Sequence, residues 1–424
     1  MRPSIQLVAM LVISLVASAV LPTTGRAAET TASRLLKYLT SPKALVRVRT
    51  LRKLAEEPDR LARSTDDLID AYRQHSLLVE RGVTADVLTS ASLLLDVMTQ
   101  SEDARITQVL GEAIQGPSVQ LSVLASDAAG NHQRHDLIPN LVQTSDQPVF
   151  DLHYGRRFAI VRALIKMRHP DAIAVLEALS KRLDGRLQAE IDLYLNRLTE
   201  LDFAGDVAAM KAFYGDRNDK RSGDVALASG IVLSEDEAGS QTRPLKLTPQ
   251  YYGIRIDARR LVFVLDCSGS MDDRAGSLTR LQRAKRELVQ TIQQLPEETE
   301  FNIMPYNVSV GAWQSTLQPA TEANKQSAVR FVSQLIAVRD TNTHGALRRA
   351  MAADDNVEAV FLLSDGQPTC GRLVKPADIL SDIATENRFR NVSINTFGIT
   401  LVGDTRAFMA KLAEQNAGDY RDVH

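Results

Sequence analysis

In the stretch LVFVLDCSGSMDD, Leu261 to Asp273, five apolar residues run into Asp266, and Ser268 and Ser270 follow around a glycine. A second apolar run, AVFLLSDG, ends the same way at Asp365. Between them the polar loop of VRDTNTHGALRRAM places Thr341 just before a helical pattern. Gathered at one edge of a sheet, these residues offer two carboxylates and three hydroxyls. An all-oxygen set of this kind suits hard cations: Mg2+, Mn2+ or Ca2+. Two carboxylates balance one divalent charge, and neutral hydroxyls leave the metal electrophilic. Such a site still takes an anionic oxygen from outside, which the Asp or Glu of a partner can supply.

Other chemistries fit the sequence less well. CSGSM around Ser268 and Ser270 lacks the flanking pattern of a nucleophile elbow. No His–acid pair is placed to activate either serine, and phosphate-loop, deaminase and protease zinc motifs are missing. His132 and His135 stand three apart, as on one helix turn, but a zinc site needs further ligands and none is nearby in sequence. His344, after the threonine loop, reads as an exposed residue in a helix's first turn; a place on the rim of the site is the alternative. Asp272 and Asp273 read as a solvated loop or a helix cap. A formal charge of −2 implies no basic face, so composition gives no case for nucleic acid.

The elements that must position these residues alternate from Arg260 onward. Strands are expected at Leu261–Asp266, Glu300–Tyr306, Val308–Trp313, Val357–Ser364, Val392–Ile399 and near Tyr420. Helices are expected at Leu278–Gln294, Glu322–Ile336, Thr343–Ala353, Pro376–Asn387 and Thr405–Asn416. This alternation argues for a mostly parallel sheet with helices on both faces. LVFVLD and AVFLLSD are continuous apolar runs, as central strands buried on both sides should be. In such sheets ligands bind outside the carboxyl ends of the strands.

Upstream, residues 31–215 read as helical throughout. In GRLQAEIDLYLNRLTE, Leu187, Ile191, Tyr194, Leu195 and Leu198 line one face of an amphipathic helix. Pro170 starts the preceding helix and Gly185 follows its end. Helices of this length joined by short turns suggest stacked antiparallel pairs with a HEAT-like texture; a plain helical bundle is the alternative. Residues 216–257 are polar and rich in Gly and Ser, as a linker is, with a candidate β-hairpin in VALASGIVL and strand-like alternation in YYGIRIDARR.

The chain of 424 residues, 44% hydrophobic, is long enough for two or three domains. Its start reads as an export signal over residues 1–27. Arg2 precedes an apolar run from Ile5 to Leu21, and small residues then offer cleavage before Val20 or Ala28. The alternative is an uncleaved membrane anchor. The expected location is the periplasm, the cell envelope or the extracellular space.

The segment 258–424 resembles a von Willebrand factor A (VWA) domain. Asp266-x-Ser268-x-Ser270 matches the first part of that family's metal-ion-dependent adhesion site (MIDAS), TNTHGAL its threonine loop, and LLSDGQP its last part. The resemblance implies a Rossmann-like six-stranded sheet with Val308–Trp313 as its antiparallel edge strand. It also implies one Mg2+ (or Mn2+/Ca2+) at Asp266, Ser268, Ser270, Thr341 and Asp365, with Thr343 as a competing ligand, completed by a ligand acid. Two departures stand out. The glycine pair usual before the threonine is Arg339-Asp340 here, and the final helix is not evident, so the N-terminal half is expected to cover that gap. Asp272 and Asp273 lie one residue short of the second acidic pair of integrin β chains. The arrangement of repeats, hairpin and terminal domain resembles that of uncharacterised exported bacterial proteins.

The expected fold is therefore α/β: a C-terminal VWA domain after an all-α HEAT-like domain. The expected function is that of an exported, metal-dependent adhesion or scaffold module, without catalytic residues, whose partner is a protein with an exposed Asp or Glu. A metal-dependent enzyme or chelatase-like subunit is the alternative. No nucleic acid is expected, and membrane contact only if the signal stays uncleaved. The two cysteines, Cys267 and Cys370, flank the proposed site. An oxidising compartment closes thiol pairs, which predicts a Cys267–Cys370 disulfide; one buried and one free thiol is the alternative. Removing either acid is expected to leave stability unchanged or slightly raised, on the premise that both lie at the sheet's edge.

Overall fold

The computed structural model of the protein describes residues 33–81, 85–200, 248–401 and 403–423. The expected leader and the hairpin sought in VALASGIVL lie outside the described residues.

From Arg34 to Glu200 the described residues are helical. The elements are α1 (Arg34–Leu39), α2 (Ala44–Ala55), α3 (Pro58–Ala62), α4 (Thr65–Glu80), α5 (Ala85–Met98), α6 (Ala104–Gln115) and α7 (Val119–Asn131). They continue as α8 (Ile138–Ser145), α9 (Pro148–Asp151), α10 (Tyr154–Met167), α11 (Pro170–Arg182) and α12 (Gly185–Glu200). Local signals place several ends. The Ser118 hydroxyl accepts the Leu121 N–H at the start of α7, and Pro170 occupies the first turn of α11. Buried residues go all round α10, from Tyr154 through Val161 to Met167, so this helix is the centre of the region rather than a face of it.

The C-terminal region begins with a short antiparallel pair, β1 (Gln250–Tyr251) and β2 (Ile254–Arg255). Then come β3 (Arg260–Asp266), the short pair β4 (Arg274–Ala275) and β5 (Leu278–Thr279), α13 (Arg280–Gln294) and β6 (Glu300–Tyr306). The order continues β7 (Gln318–Pro319), α14 (Glu322–Gln334), α15 (Thr343–Met351), β8 (Ala359–Ser364), α16 (Pro376–Asn387), β9 (Ser393–Ile399), α17 (Gly403–Gln415) and β10 (Tyr420–Val423). The sheet runs β10-β9-β8-β3-β6-β7, parallel except for β7. Strand parity sorts the core. Leu261, Phe263 and Leu265 meet Leu281 and Leu288 of α13 and Val332 of α14 on one face. Val262 and Val264 meet Leu347 of α15, Ile383 of α16 and Leu412 of α17 on the other.

Two expectations change. Val308–Trp313 is not the edge strand. It makes an isolated bridge, Val310 to Tyr306, and the regular antiparallel pairing falls further on, at Gln318–Pro319. The segment still bonds to β6, with the Gly311 N–H on Pro305 O and the Trp313 N–H on Ile303 O, and just beyond it the Asn302 side-chain amide donates to Gln314 O and Thr316 O. The segment before β3 packs on the sheet. Tyr251 packs edge-on against Phe263, Phe361 and Phe397 of β3, β8 and β9. Residues 248–257 thus belong to this domain's core and not to a linker.

The helical region docks on the edge where the parallel strands begin. Glu358, just before β8, is almost fully buried there. Its Oε2 accepts the N–H of Arg186 at 2.9 Å and of Arg259 at 3.1 Å, and Arg260 Nη1 lies 3.6 Å from Oε1. Gly185 makes this approach possible: it has φ +64, and a Cβ on it would lie 2.4 Å from Glu358 Oε2. Tyr154 N–H donates to Asp355 O, and Arg157 to Asn356 Oδ1. At Gly155 a Cβ would lie 1.8 Å from Phe389 O. This is a close seam, and Gly155→Ala is expected to open it.

Burial raises the Glu358 carboxyl to about 7, against the two N–H bonds and Arg260 that lower it. Between its ordinary value near 4.5 and about 7, only the folded chain holds the proton, so stability falls as pH rises through that window. The full effect is on the order of 3 kcal/mol at most. Glu358→Gln keeps an acceptor for the two N–H groups without the charge. The fall in thermal midpoint from pH 5 to pH 7.5 should therefore be smaller in Glu358→Gln than in wild type; equal falls would show that Glu358 does not titrate in that range.

Candidate metal centre

Parallel pairing brings the two acids together. β3 lies beside β8 with Leu265 opposite Leu363, so Asp266 ends next to Ser364 and one residue short of Asp365. Asp266 has no exposed surface. Its Oδ1 accepts the Ser268 N–H at 2.8 Å, and its Oδ2 accepts the Ser364 hydroxyl at 2.6 Å and the Tyr306 hydroxyl at 3.3 Å. Burial pushes this carboxyl up to about 6, while the hydrogen bonds from Ser364 and Ser268 pull it down and the Asp365 charge adds to the rise.

The hydroxyls follow in sequence. Ser268 Oγ lies 3.2 Å from Ser270 Oγ, and Ser270 Oγ donates to Asp365 Oδ1 at 2.8 Å. A short 3-10 turn over Gly269–Asp272 keeps both serines at the strand end, and the Gly269 N–H donates to Arg339 O at 2.7 Å. That bond ties the Asp-x-Ser-x-Ser loop to the threonine loop. Thr341 is buried, its N–H donates to Thr369 Oγ1, and its carbonyl accepts the N–H of Thr369. Its hydroxyl has no hydrogen-bond partner among the described residues. Asn342 caps α15 by accepting the Gly345 N–H. Thr343, the competing candidate, is the buried first residue of α15.

The donor set fits a hard divalent cation. Hydroxyls of Ser268 and Ser270 and the Asp365 carboxylate form one connected oxygen cluster, Asp266 is fixed just beneath it, and the Thr341 hydroxyl is free to ligate. Every donor is oxygen; hydroxyls of Ser364 and Tyr306 hold Asp266, and the Thr369 hydroxyl holds the Thr341 backbone.

Several partners had not been singled out from the sequence. Ser364, Tyr306 and Thr369 hold the site's backbone and acids, and Arg280 Nη1 donates to Asp365 Oδ2 at 2.8 Å. For Ser364 the signal was present, since it immediately precedes Asp365 in LLSDG. The others come from distant segments and carry no local mark.

Other candidates are placed elsewhere. His344 is buried rather than exposed, with Nε2 2.9 Å from Asp382, because the first turn of α15 faces α16. His132 pairs with Asp96 and His135 stacks on His169, so they do not converge. Asp272 and Asp273 are exposed, and the cap of α13 is Thr279. The expected disulfide is absent: both cysteines are free thiols. Strand parity is the reason. Cys267 continues the odd-numbered face of β3 into the cluster with α13. Cys370 follows a loop bonded to Thr341, ahead of α15, which covers the opposite face.

Residues 259–422 match the family model of the von Willebrand factor type A domain. Inter-alpha-trypsin inhibitor heavy chain H4 of Homo sapiens is 28% identical over 185 residues, 41% of this chain and 19% of that protein. Von Willebrand factor A domain-containing protein 3A of Homo sapiens is 31% identical over 165 residues, 38% of this chain and 13% of that protein. The chain thus spans less than a fifth of the length of these curated relatives. Among solved structures, the von Willebrand factor type A protein from Catenulispora acidiphila covers 40% of this chain and 40% of its own, at 21% identity and a TM-score of 0.35.

The thiol placement has a direct check. Burial raises Cys267 to about 12, which suppresses its thiolate. In unreduced native protein, a soluble thiol reagent should label Cys370 and spare Cys267; after denaturation without reductant it should label both. No labelling after denaturation would mean that the disulfide forms after all.

Proposed function

We propose that the C-terminal domain is a metal-dependent protein-binding module. Asp266, Ser268, Ser270, Thr341 and Asp365 hold one divalent cation, Mg2+ or in its place Mn2+ or Ca2+. A carboxylate from a partner protein completes the coordination. The observation behind this reading is the oxygen cluster of Ser268, Ser270 and Asp365 at hydrogen-bond distances, on loops at the carboxyl edge of a parallel sheet. The metal supplies an electrophilic point for an anionic oxygen. The protein's part is to fix the hydroxyls and present the loops.

Binding is favoured over catalysis by the same geometry. Ser270 donates to one oxygen of Asp365 and Arg280 to the other, so both carboxylate oxygens are already engaged. His344 is engaged with Asp382. No assembly of nucleophile and base is formed at the serines among the described residues.

The helical region, with its HEAT-like texture, then acts as a scaffold that docks on the far edge of the sheet and leaves the site's loops uncovered. Its seat at the strand starts supports this. The apolar start of the sequence supports export, to the periplasm, envelope or beyond. Among the described residues no helix is long and apolar enough to cross a membrane.

Both acids prove to be buried and hydrogen-bonded, so the premise of harmless removal does not hold. Replacing either by alanine leaves donors unsatisfied, at a cost of about 1–3 kcal/mol. Asparagine is the informative substitution. Wild-type protein should bind one Mg2+ or Mn2+ by calorimetry and gain thermal stability with it, by about 2.7 kcal/mol at a hundredfold excess over Kd. Asp365→Asn and Ser270→Ala should weaken metal binding at least tenfold and lose that stabilisation. Absence of binding by wild type at millimolar metal, with and without an Asp-containing peptide, would defeat the proposal.

A further inference from the structure

Arg280 is the first residue of α13, inside the Thr279–Gln282 capping box. The cap fixes where its backbone starts, and the Arg280 N–H donates to Asp273 O at 3.0 Å. From there the side chain reaches into the oxygen cluster. Nη1 lies 2.8 Å from Asp365 Oδ2, 3.3 Å from the Ser270 carbonyl and 3.4 Å from Asp273 Oδ2. The Asp365 side chain has no exposed surface, while that of Arg280 is 22% exposed. Its Nε is buried without a partner, so the guanidinium is held at this place chiefly by Asp365.

The two acids are therefore compensated differently. Asp266 is held by neutral donors only: Ser268 N–H, Ser364 and Tyr306. Asp365 has one oxygen on the Ser270 hydroxyl and the other on a full positive charge. A divalent cation among Ser268, Ser270 and Asp365 would lie next to that guanidinium. Two cations at such separation repel strongly in a water-poor setting, so each weakens the other's hold on Asp365.

We propose that Arg280 sets the metal affinity of the site by competing with the divalent cation for Asp365. This rests on the metal-site reading above. Arg280 is a resident monovalent counter-charge, and the divalent cation must drive it off Asp365 toward solvent and Asp273. Removing the charge should strengthen metal binding and remove the partner that Asp365 has without metal.

The test uses full-length wild type with Arg280→Met, Arg280→Gln and Arg280→Lys, titrated calorimetrically with MnCl2 alone and melted in EDTA. Met and Gln should bind Mn2+ at least tenfold more tightly than wild type and melt lower in EDTA. Lys keeps the charge and should stay within about threefold of wild type. If Met and Gln bind Mn2+ no more tightly than wild type while Asp365→Asn still abolishes binding, the competition is wrong and the metal site stands. Should Met fail to fold, the Gln and Lys variants decide alone. If neither wild type nor any Arg280 variant binds Mn2+ at millimolar concentration, the metal-site reading falls, and the competition with it.

Discussion

Two carboxylates at the ends of neighbouring parallel strands are the constraint around which the C-terminal domain is arranged. The β3–β8 pairing leaves no choice about it: with Leu265 opposite Leu363, Asp266 and Asp365 emerge side by side. Charges so placed and so poorly solvated must be compensated. Asp266 is answered by a backbone N–H and two hydroxyls, and Asp365 by a hydroxyl and a guanidinium. Much of the surrounding loop structure follows from supplying these donors. The 3-10 turn presents Ser268 and Ser270, the Gly269–Arg339 bond draws in the threonine loop, and the Thr279 cap aims Arg280.

The two edges of the sheet divide the work. At the starting edge Glu358 accepts N–H groups from both domains, and Gly185 and Gly155 permit backbone approaches that any side chain would block. At the finishing edge the loops bond mostly to one another. A scaffold fixed at one edge leaves the other free for a partner, which suits recognition through a completed metal site.

Much of this was legible in the sequence. Continuous apolar runs marked β3 and β8 as central strands, and the acids at their ends marked the candidate site. The helix around Leu187 and Ile191 was plain from its spacing. Pairing was less legible, because local pattern does not fix what a strand lies against. Val308–Trp313 alternates well enough, yet it bonds to β6 only through an isolated bridge and scattered N–H groups, and the regular pairing falls at Gln318–Pro319. The Cys267–Cys370 disulfide was expected from nearness along two loops. Strand parity opposes it, since Cys267 shares the face of Phe263 and Leu265. His344 looked exposed because α16, which covers it, comes from residues more than thirty positions later. Arg339, where the VWA pattern usually has glycine, has φ +65, so the loop keeps the glycine-like conformation with a side chain that disfavours it. Arg280 gave no sign at all, because its role depends on a charge from another strand.

The most direct measurement is a crystal structure of the protein soaked in MnCl2, read by the anomalous signal of manganese. The account predicts one strong peak at the carboxyl edge of the sheet, within coordination distance of the Ser268, Ser270 and Thr341 hydroxyls, with Arg280 moved off Asp365. No peak there, or a peak coordinated by other residues while Arg280 remains on Asp365, would contradict it.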